Sequence, residues 1–143
     1  MTISVLDTDS LTLFLRGEET ISARIASTSP DSIAVSIVTV EEVLTGWYAE
    51  VRRARQDDQL VRAYLALQQS IEFFRFVRIL PFNEAAVHLF RELRRQYRRL
   101  GTNDLRIAAI SMVHQGVIIT RNQRDFGVIE GLSTDDWSFS PSN

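Results

Sequence analysis

The stretch Ile3-Ser4-Val5-Leu6-Asp7-Thr8-Asp9-Ser10-Leu11 decides the fold of this chain. A short apolar run ends in a carboxylate, and helix-capping residues follow at once, as is typical of a buried strand in an α/β sheet. Ligands of open α/β sheets bind at the carboxyl ends of the strands, which is where Asp7 falls. A carboxylate at this junction also serves as a helix N-cap, so capping and functional roles for Asp7 both stay open at this point.

The same pattern of a short apolar run followed by a helix recurs along the chain. It predicts strands at residues 3–6, 33–37, 76–80 and 117–120, with an edge strand in the tail between 132 and 139. It predicts helices at residues 11–16, 18–27, 39–51, 60–74, 84–100 and 105–114, and a loop at 121–127. Alternating strands and helices indicate one α/β domain over residues 1–143, with a mostly parallel sheet of four to five strands flanked by helices. Helices 39–51 and 60–74 form a helical hairpin insertion.

The composition excludes several classes of protein. Hydrophobic residues make up 45% of the 143 residues, enough for one core, and cysteine is absent, which excludes disulfides and thiolate metal sites. No apolar run of membrane-spanning length and no signal peptide are visible, so we expect a cytoplasmic protein without membrane association. The net charge of −2 argues against indiscriminate coating of nucleic acid. All 16 basic residues are arginine, which excludes lysine chemistry but leaves phosphate recognition by guanidinium groups.

Acidic residues follow several of the predicted strands. Because the carboxyl ends of parallel strands share one edge of a sheet, we expect these side chains to meet there: Asp7, Glu42, Asp104 and Asp125. Each also has a local explanation. Glu42 completes a capping box with Thr39, Asp104 caps its own helix, and Asp125 forms a turn.

Clustered carboxylates repel one another unless protons or cations relieve the repulsion. The two histidines lie in or at the end of helices, away from this edge, so the available ligands are all oxygens. Such a ligand set favours Mg²⁺ or Mn²⁺, which retain waters and meet substrate phosphates. This is the chemistry of a metal-dependent nuclease.

Four segments resemble, in order, the motifs of PIN-domain ribonucleases. They are Asp7-Thr8-Asp9, Ser36 to Val43 with Gly46, Gly101 to Ala109, and Thr120 to Phe126, and the segment from Leu132 to Trp137 looks like the family's tail. Their order and spacing are similar to those of VapC-like toxins of toxin–antitoxin pairs. The resemblance implies a PIN-like fold and a metal-dependent endoribonuclease that hydrolyses phosphodiester bonds of structured RNA, of the tRNA or rRNA class, as the toxin of such a pair.

The resemblance also implies roles for individual residues. The catalytic metal ligands would be Asp7, Glu42 and Asp104, with Asp125 or Asn122 at the fourth position, and the residues supporting them would be Thr39, Asn103, Thr120 and Asn122. With Asp7 as the central ligand, Asp9 is the expected helix cap. The implied cofactor is Mg²⁺ or Mn²⁺, and the implied partners are the RNA substrate, a second copy in a homodimer and a cognate antitoxin that blocks the active site.

Arginines crowd the segment before Asp104. At helical spacing they cover one face of the predicted helix 84–100, with one more after the acid: Arg91, Arg94, Arg95, Arg98, Arg99 and Arg106. Such a face is either solvated, a track for RNA phosphates, or a target for an antitoxin's acidic tail. We take Arg95, Arg98, Arg99 and Arg106 as the candidate RNA-binding residues.

Two other functions fit parts of the sequence. Asp7-Thr8-Asp9 after a strand resembles the nucleophile motif of haloacid-dehalogenase-type phosphatases, in which the first Asp is phosphorylated and the second acts as acid and base. That family normally needs a later basic residue, usually lysine, which this chain lacks. The other alternative is a catalytically inactive PIN-like module that acts through interactions alone.

Overall fold

The computed structural model describes residues 2–140, which form a five-stranded sheet flanked by helices. The strands are β1 (Ser4–Leu6), β2 (Ile33–Ser36), β3 (Arg78–Leu80), β4 (Val117–Ile119) and β5 (Ser133–Asp135). The helices are α1 (Thr8–Leu15), α2 (Glu19–Ala26), α3 (Ile37–Arg53), α4 (Asp57–Phe74), α5 (Glu84–Gln96), α6 (Thr102–Val113) and α7 (Gln123–Phe126). The pairings from β3 through to β5 are parallel, so the predicted α/β class and parallel sheet are confirmed.

The strand order β3-β2-β1-β4-β5 places β1 at the centre of the sheet. The chain leaves β1 toward β2 on one side and later returns to pair β4 on its other side. The strand order therefore reverses between β1 and β4. In open α/β sheets such a reversal opens a crevice at the carboxyl ends of the strands. Asp7 directly follows β1 and Thr120 directly follows β4, so both residues lie at this crevice.

Both faces of the sheet are buried, which explains the continuous apolar runs of its central strands. Val5 is paired in register with Ala34 and Ile118, and these side chains join the core under α5 and α6. Leu6 is paired with Val35 and Ile119, and these pack on the opposite face. That second core also takes in Leu11, Ile21 and Val43 from α1, α2 and α3.

Helix α3 begins earlier than the sequence predicted. Ser36 is its N-cap, and the Ser36 hydroxyl accepts a hydrogen bond from the Thr39 backbone N–H at 3.0 Å. The predicted capping box between Thr39 and Glu42 is therefore wrong, because both residues already lie inside the helix. The strand before it ends at Ser36 instead of residue 37, and the predicted hairpin of α3 and α4 is present.

Helix α5 ends earlier than predicted, at Gln96 instead of residue 100. The backbone leaves the helical region at Tyr97, with φ −121° and ψ 69°. The Arg94 side chain donates to the carbonyl oxygens of Tyr97, Arg98 and Leu100, which follow the end of the helix. The prediction of one continuous arginine face is wrong for Arg98 and Arg99, which lie beyond the helix.

Residues 121–127 form more than the predicted loop, because one helical turn, α7, lies within them. Asn122 caps this turn by accepting a hydrogen bond from the Asp125 backbone N–H at 3.2 Å. The predicted edge strand in the tail is present as β5, beside β4. Within residues 2–140, no helix combines the length and apolar character needed to cross a membrane.

Candidate active site

Three of the predicted acids line one open cleft at the carboxyl edge of the sheet. Asp7 comes from the end of β1, Glu42 from α3 and Asp104 from the first turn of α6. The cleft has a volume of about 660 Å³, and its other lining residues are Thr8, Asp9, Ile107, Arg121, Asn122 and Phe126. We call this feature the acid cleft. The strand and helix ends bring together residues that are far apart in the chain.

Asp7 is both a helix cap and a wall of the acid cleft. Its Oδ1 accepts a hydrogen bond from the Ser10 backbone N–H at 2.8 Å, and the side chain is the N-cap of α1. The residue is only 5% exposed. Burial raises the pKa of the Asp7 carboxyl, and hydrogen bonds from Thr120 and Ser10 partly oppose that rise. The two roles that the sequence left as alternatives therefore coexist.

Asp9 does not cap the helix, so that prediction is wrong. Its two carboxylate oxygens accept hydrogen bonds from Arg121 Nε at 2.7 Å and from Nη2 at 2.9 Å. This bidentate pair joins the first turn of α1 to the segment that follows β4.

Hydroxyl groups position Glu42. Thr8 Oγ1 donates to Glu42 Oε1 at 2.7 Å and lies 3.2 Å from Thr39 Oγ1. Thr39 Oγ1 lies in turn 3.3 Å from Ser36 Oγ, and both residues are fully buried. Because buried hydroxyls rarely lack partners, this chain of contacts restricts the orientation of Glu42.

Asp104 lies in the first turn of α6, and no described residue donates a hydrogen bond to its carboxylate. A capping role, the local alternative for this residue, therefore has no support. Burial raises the pKa of the Asp104 carboxyl, and repulsion from Glu42, Asp125 and Asp7 raises it further. Asn103, expected beside it, accepts a hydrogen bond from Arg106 Nη1 at 3.1 Å instead.

Asp125 and Asn122 are the two candidates for the fourth position. Asn122 lines the acid cleft, whereas Asp125 is not among the lining residues. The two side chains contact each other, because Asn122 Nδ2 donates to Asp125 Oδ2 at 3.1 Å. Asp125 is still near enough to Asp104 to raise the pKa of that carboxyl. Thr120 Oγ1 accepts from the Asn122 backbone N–H at 2.9 Å, which ties the pair to the end of β4.

The donor atoms of the acid cleft fit a hard divalent cation. They are carboxylate, amide and hydroxyl oxygens, which Mg²⁺ and Mn²⁺ prefer. Burial and then repulsion from the neighbouring carboxylates raise the pKa of Asp104, and a bound cation would relieve that repulsion. Within residues 2–140, no three acidic or histidine side chains already stand close enough to hold an ion in this conformation.

The comparison with known families agrees with this geometry. The family model described as "PIN domain" matches residues 4–132, which include every acid discussed above. The chain belongs to the PIN domain family.

Known proteins resemble this PIN domain over nearly their whole length. "Ribonuclease VapC1" of Haemophilus influenzae (strain R2866) is 26% identical over 141 residues, covering 95% of this chain and 98% of that protein. A chain in the crystal structure of DNA-bound VapBC from Salmonella typhimurium superposes with a TM-score of 0.78 at 21% identity, covering 96% of this chain and 99% of that one. A chain of VapBC2 from Rickettsia felis gives a TM-score of 0.74 at 20% identity, covering 95% and 99% respectively.

Five of the arginines between residues 91 and 106 of this PIN domain fall into two groups. Arg95, Arg98 and Arg99 are exposed, and their side chains have no hydrogen-bond partner among the described residues. Arg94 and Arg106 are held in place. Arg106 lies over the rings of Phe82 and Phe90, at 6.0 and 5.4 Å from their centroids, in addition to its bond with Asn103.

Arg94 organises the turn between α5 and α6. Its Nη2 lies within hydrogen-bond distance of three carbonyl oxygens, those of Tyr97 at 2.9 Å, Arg98 at 3.0 Å and Leu100 at 2.6 Å. Its Nη1 donates to Thr102 Oγ1 at 3.2 Å, at the first residue of α6. We call residues 97–101, closed by Arg94, the arginine turn. It leads directly into the helix that carries Asp104.

Sequence reasoning missed both Arg94 and the pair formed by Asp9 and Arg121. The position of Arg94 depends on where α5 ends, which its strongly helical sequence did not reveal. For Asp9 and Arg121 a signal was available. The rule that brought the acids to one sheet edge also brings together the residues that follow β1 and β4.

Proposed function

We propose that this PIN domain is a divalent-metal-dependent endoribonuclease that cleaves structured RNA, of the tRNA or rRNA class, as the toxin of a toxin–antitoxin pair. The observation that carries the proposal is the placement of Asp7, Glu42 and Asp104 around one cleft, where burial and then repulsion raise the pKa of Asp104. Membership of the PIN domain family and the similarity to "Ribonuclease VapC1" support it.

The residues that would hold Mg²⁺ or Mn²⁺ are Asp7, Glu42 and Asp104, with Asn122 or Asp125 at the fourth position. A bound divalent ion would supply charge neutralisation at the scissile phosphate and activation of water. The protein's contribution is to fix the carboxylates before substrate arrives. The Ser10 N–H holds Asp7, and the Thr8 hydroxyl holds Glu42. Asp104 receives no hydrogen bond from a described residue, so both of its oxygens are available to a ligand or a proton.

An antitoxin that blocks the active site and a homodimer are part of the same proposal, as is a cytoplasmic setting. The matched structures from Salmonella and Rickettsia are described as VapBC, and one from Klebsiella pneumoniae as a toxin–antitoxin complex. A second cavity of about 520 Å³ lies among α1, α3 and α4 and shares Thr8 and Glu42 with the acid cleft. A partner segment lying in that cavity would reach the acids directly.

The phosphatase alternative is disfavoured by the pairing of Asp9. That mechanism needs Asp9 as a free acid and base, but both of its oxygens accept hydrogen bonds from Arg121. The inactive-module alternative predicts no catalysis, and the experiment below decides it.

The test is cleavage of structured RNA by the purified protein in a titration of Mg²⁺ and Mn²⁺, with chelator as the blank. We expect cleavage that requires the metal and is lost in Asp7→Asn and in Glu42→Gln. Asn is itself a good helix N-cap, so Asp7→Asn keeps the cap and removes only the charge. The matched control is Glu41→Gln, on the adjacent exposed residue of α3, which does not line the cleft.

Two results would contradict the proposal. One is the absence of cleavage of any structured RNA at every metal concentration, which would favour the inactive module. The other is equal cleavage by wild type, Asp7→Asn and Glu42→Gln, which would place the activity elsewhere. Loss of activity in Glu41→Gln to the same extent would show that the assay reports folding, so thermal unfolding is measured for each variant.

A further inference from the structure

The acid cleft presents an electrostatic problem to an RNA substrate. Its walls carry the carboxylates of Asp7, Asp9, Glu42 and Asp104. RNA carries a negative charge on every phosphate, so these carboxylates repel it. A bound divalent ion offsets the charge at the scissile phosphate but not at the phosphates on either side. A nuclease of this design therefore needs a cation at the rim of the cleft.

Among the described residues that line the acid cleft, Arg121 is the only one with a basic side chain. It follows β4 by two residues, and about half of its side chain is exposed, 49%. The nearby Asp9, Asp136 and Asp7 raise the pKa of the Arg121 guanidinium above its ordinary value, so the group stays charged. It is therefore a permanent cation that faces both solvent and the cleft.

The bond to Asp9 leaves one side of the guanidinium available. Asp9 takes Nε and Nη2, which form one edge of the planar group. A guanidinium has five N–H donors, and the second edge, formed by Nη1 and Nη2, suits two oxygens of a carboxylate or a phosphate. No described residue accepts a hydrogen bond from Arg121 Nη1. The Asp9 pair thus holds the flexible, half-exposed side chain in one orientation and leaves Nη1 without a partner among the described residues.

We propose that Arg121, oriented by Asp9, binds a phosphate of the RNA substrate next to the scissile bond. The inference rests on the proposed endoribonuclease function and names a substrate contact for it. Arg121 is a binding residue whose positive charge offsets the negative charge of the acids beside it. Asp9 is the residue that positions it. Arg121 lies apart from the arginines of the 91–106 segment, which precede α6 or stack on aromatic rings.

The test separates binding from chemistry with single-turnover cleavage measured over a range of protein concentrations. Arg121→Gln is expected to raise the half-saturating concentration about tenfold, as for loss of a charged hydrogen-bonded contact. Its maximal rate should stay within about threefold of wild type. The slope of log affinity against log salt should become shallower by about 0.7 to 0.9, the loss of one phosphate contact. The matched control is Arg124→Gln, on the exposed arginine of α7, which should change neither quantity.

Two further variants distinguish a phosphate contact from a structural latch between α1 and the end of β4. Arg121→Lys keeps the charge and loses the two-point geometry, so it should keep the salt slope and regain only part of the affinity. Asp9→Asn releases the guanidinium without removing it, so the salt slope should also stay. If Arg121 were only a latch, Arg121→Gln and Asp9→Asn would impair cleavage equally, lower the unfolding temperature equally and leave the slope unchanged. That result would overturn the assignment.

A second readout does not depend on cleavage. Binding of a fluorescently labelled structured RNA to Asp7→Asn in Mg²⁺ should weaken by a similar factor when Arg121→Gln is added. If the wild type cleaves RNA and Arg121→Gln has the same half-saturating concentration and the same salt slope as the wild type, the Arg121 assignment alone is overturned. Failure of the wild type to cleave any RNA would overturn the proposed function, and this contact with it.

Discussion

The acid cleft and the arginine turn meet at the start of α6, yet their electrostatic arrangements are opposite. Arg94 contacts three carbonyl oxygens and the Thr102 hydroxyl, so its positive charge is matched by acceptors. Asp104, in the first turn of the same helix, receives no hydrogen bond from a described residue and is repelled by three other carboxylates. The positive charge of Arg94 is hydrogen-bonded within the chain, whereas the negative charge of Asp104 is left for a ligand from outside the chain. This contrast separates a stabilising site from a functional one.

The arginine turn also shows why an arginine is useful there. The last carbonyl groups of α5 have no partners within the helix, and they form the negative end of its dipole. Arg94 lies in the last turn of α5, near this negative end, and donates to the carbonyl oxygens of Tyr97, Arg98 and Leu100 in the turn that follows. That turn leads into α6, which carries Asp104. The geometry of the functional site thus depends on a satisfied site a few residues away.

The largest expected effect is on catalysis at Asp104. Asp104→Asn should lower RNA cleavage by at least about 100-fold, since changing even an outer neighbour of a metal ligand costs about 10- to 100-fold. The same change should raise the free energy of unfolding of the metal-free protein, by up to about 1 kcal/mol, because it removes a partly buried charge and its repulsion by other carboxylates. Cleavage assays and urea unfolding measure the two effects. A variant that loses both activity and stability would break the contrast between the two sites.

The second expected effect is stabilisation by a divalent ion. Mg²⁺ or Mn²⁺ at 100 times its dissociation constant should raise the free energy of unfolding by about 2.7 kcal/mol, because the ion binds only the folded acids. Thermal unfolding with and without the metal measures it. The stabilisation should shrink in Asp104→Asn and persist in Glu41→Gln. An equal shift in all three proteins would mean that the ion binds away from the cleft.

The third expected effect is at the satisfied site. Arg94→Ala should lower the free energy of unfolding by about 2 kcal/mol, because hydrogen bonds to charged groups contribute strongly and three carbonyl groups lose their donor. Arg95→Ala, on the exposed neighbour, should change it by less than about 0.5 kcal/mol. Chemical denaturation compares the two. Equal effects would show that the arginine turn does not depend on Arg94.

The fold and the list of acids could be predicted from the sequence because they depend on local patterns and one topological rule. Apolar runs such as Val5-Leu6 marked the strands, and parallel strands share a carboxyl edge. The structure brings Asp7, Glu42 and Asp104 together as the rule predicts, although the ligand roles remain a proposal. Glu42 was identified correctly as a cleft residue even though its expected capping box is wrong, because the position after the second strand mattered more than the cap.

The remaining details depend on side-chain geometry that no periodicity records. The sequence offered capping and function as alternatives for Asp7, but a carboxylate has two oxygens, and capping α1 uses one of them. The end of α5 was missed because Arg98 and Arg99 continue a good helical pattern, whereas the hydrogen bond from Arg94 to the Arg98 carbonyl depends on side-chain geometry. Asp9 pairs with a residue 112 positions away, so no local sequence pattern identifies its partner, and only the shared sheet edge indicates it.

The smallest expected effect is a pH dependence of opposite sign to that of ordinary salt-bridged acids. The pKa values of Asp7 and Asp104 are raised above 3.8 in the folded protein, so the folded state binds more protons than the unfolded state between 3.8 and the raised values. Stability must then fall as pH rises through that window and be fully regained below it. In the metal-free protein, the stability gap between Asp104→Asn and wild type should widen as pH rises from about 3.8, the ordinary Asp value.

Urea unfolding of the two proteins over a pH series measures this gap, and the difference cancels groups that both share, including Glu18, whose pKa is lowered. Saturating Mg²⁺ should reverse the trend, because the ion favours the ionised carboxylates that protons otherwise displace. A gap that stayed constant with pH would mean that burial and repulsion together do not raise the pKa of Asp104. Asp104 would then be as well satisfied as Arg94, and the contrast between the acid cleft and the arginine turn would have no electrostatic basis.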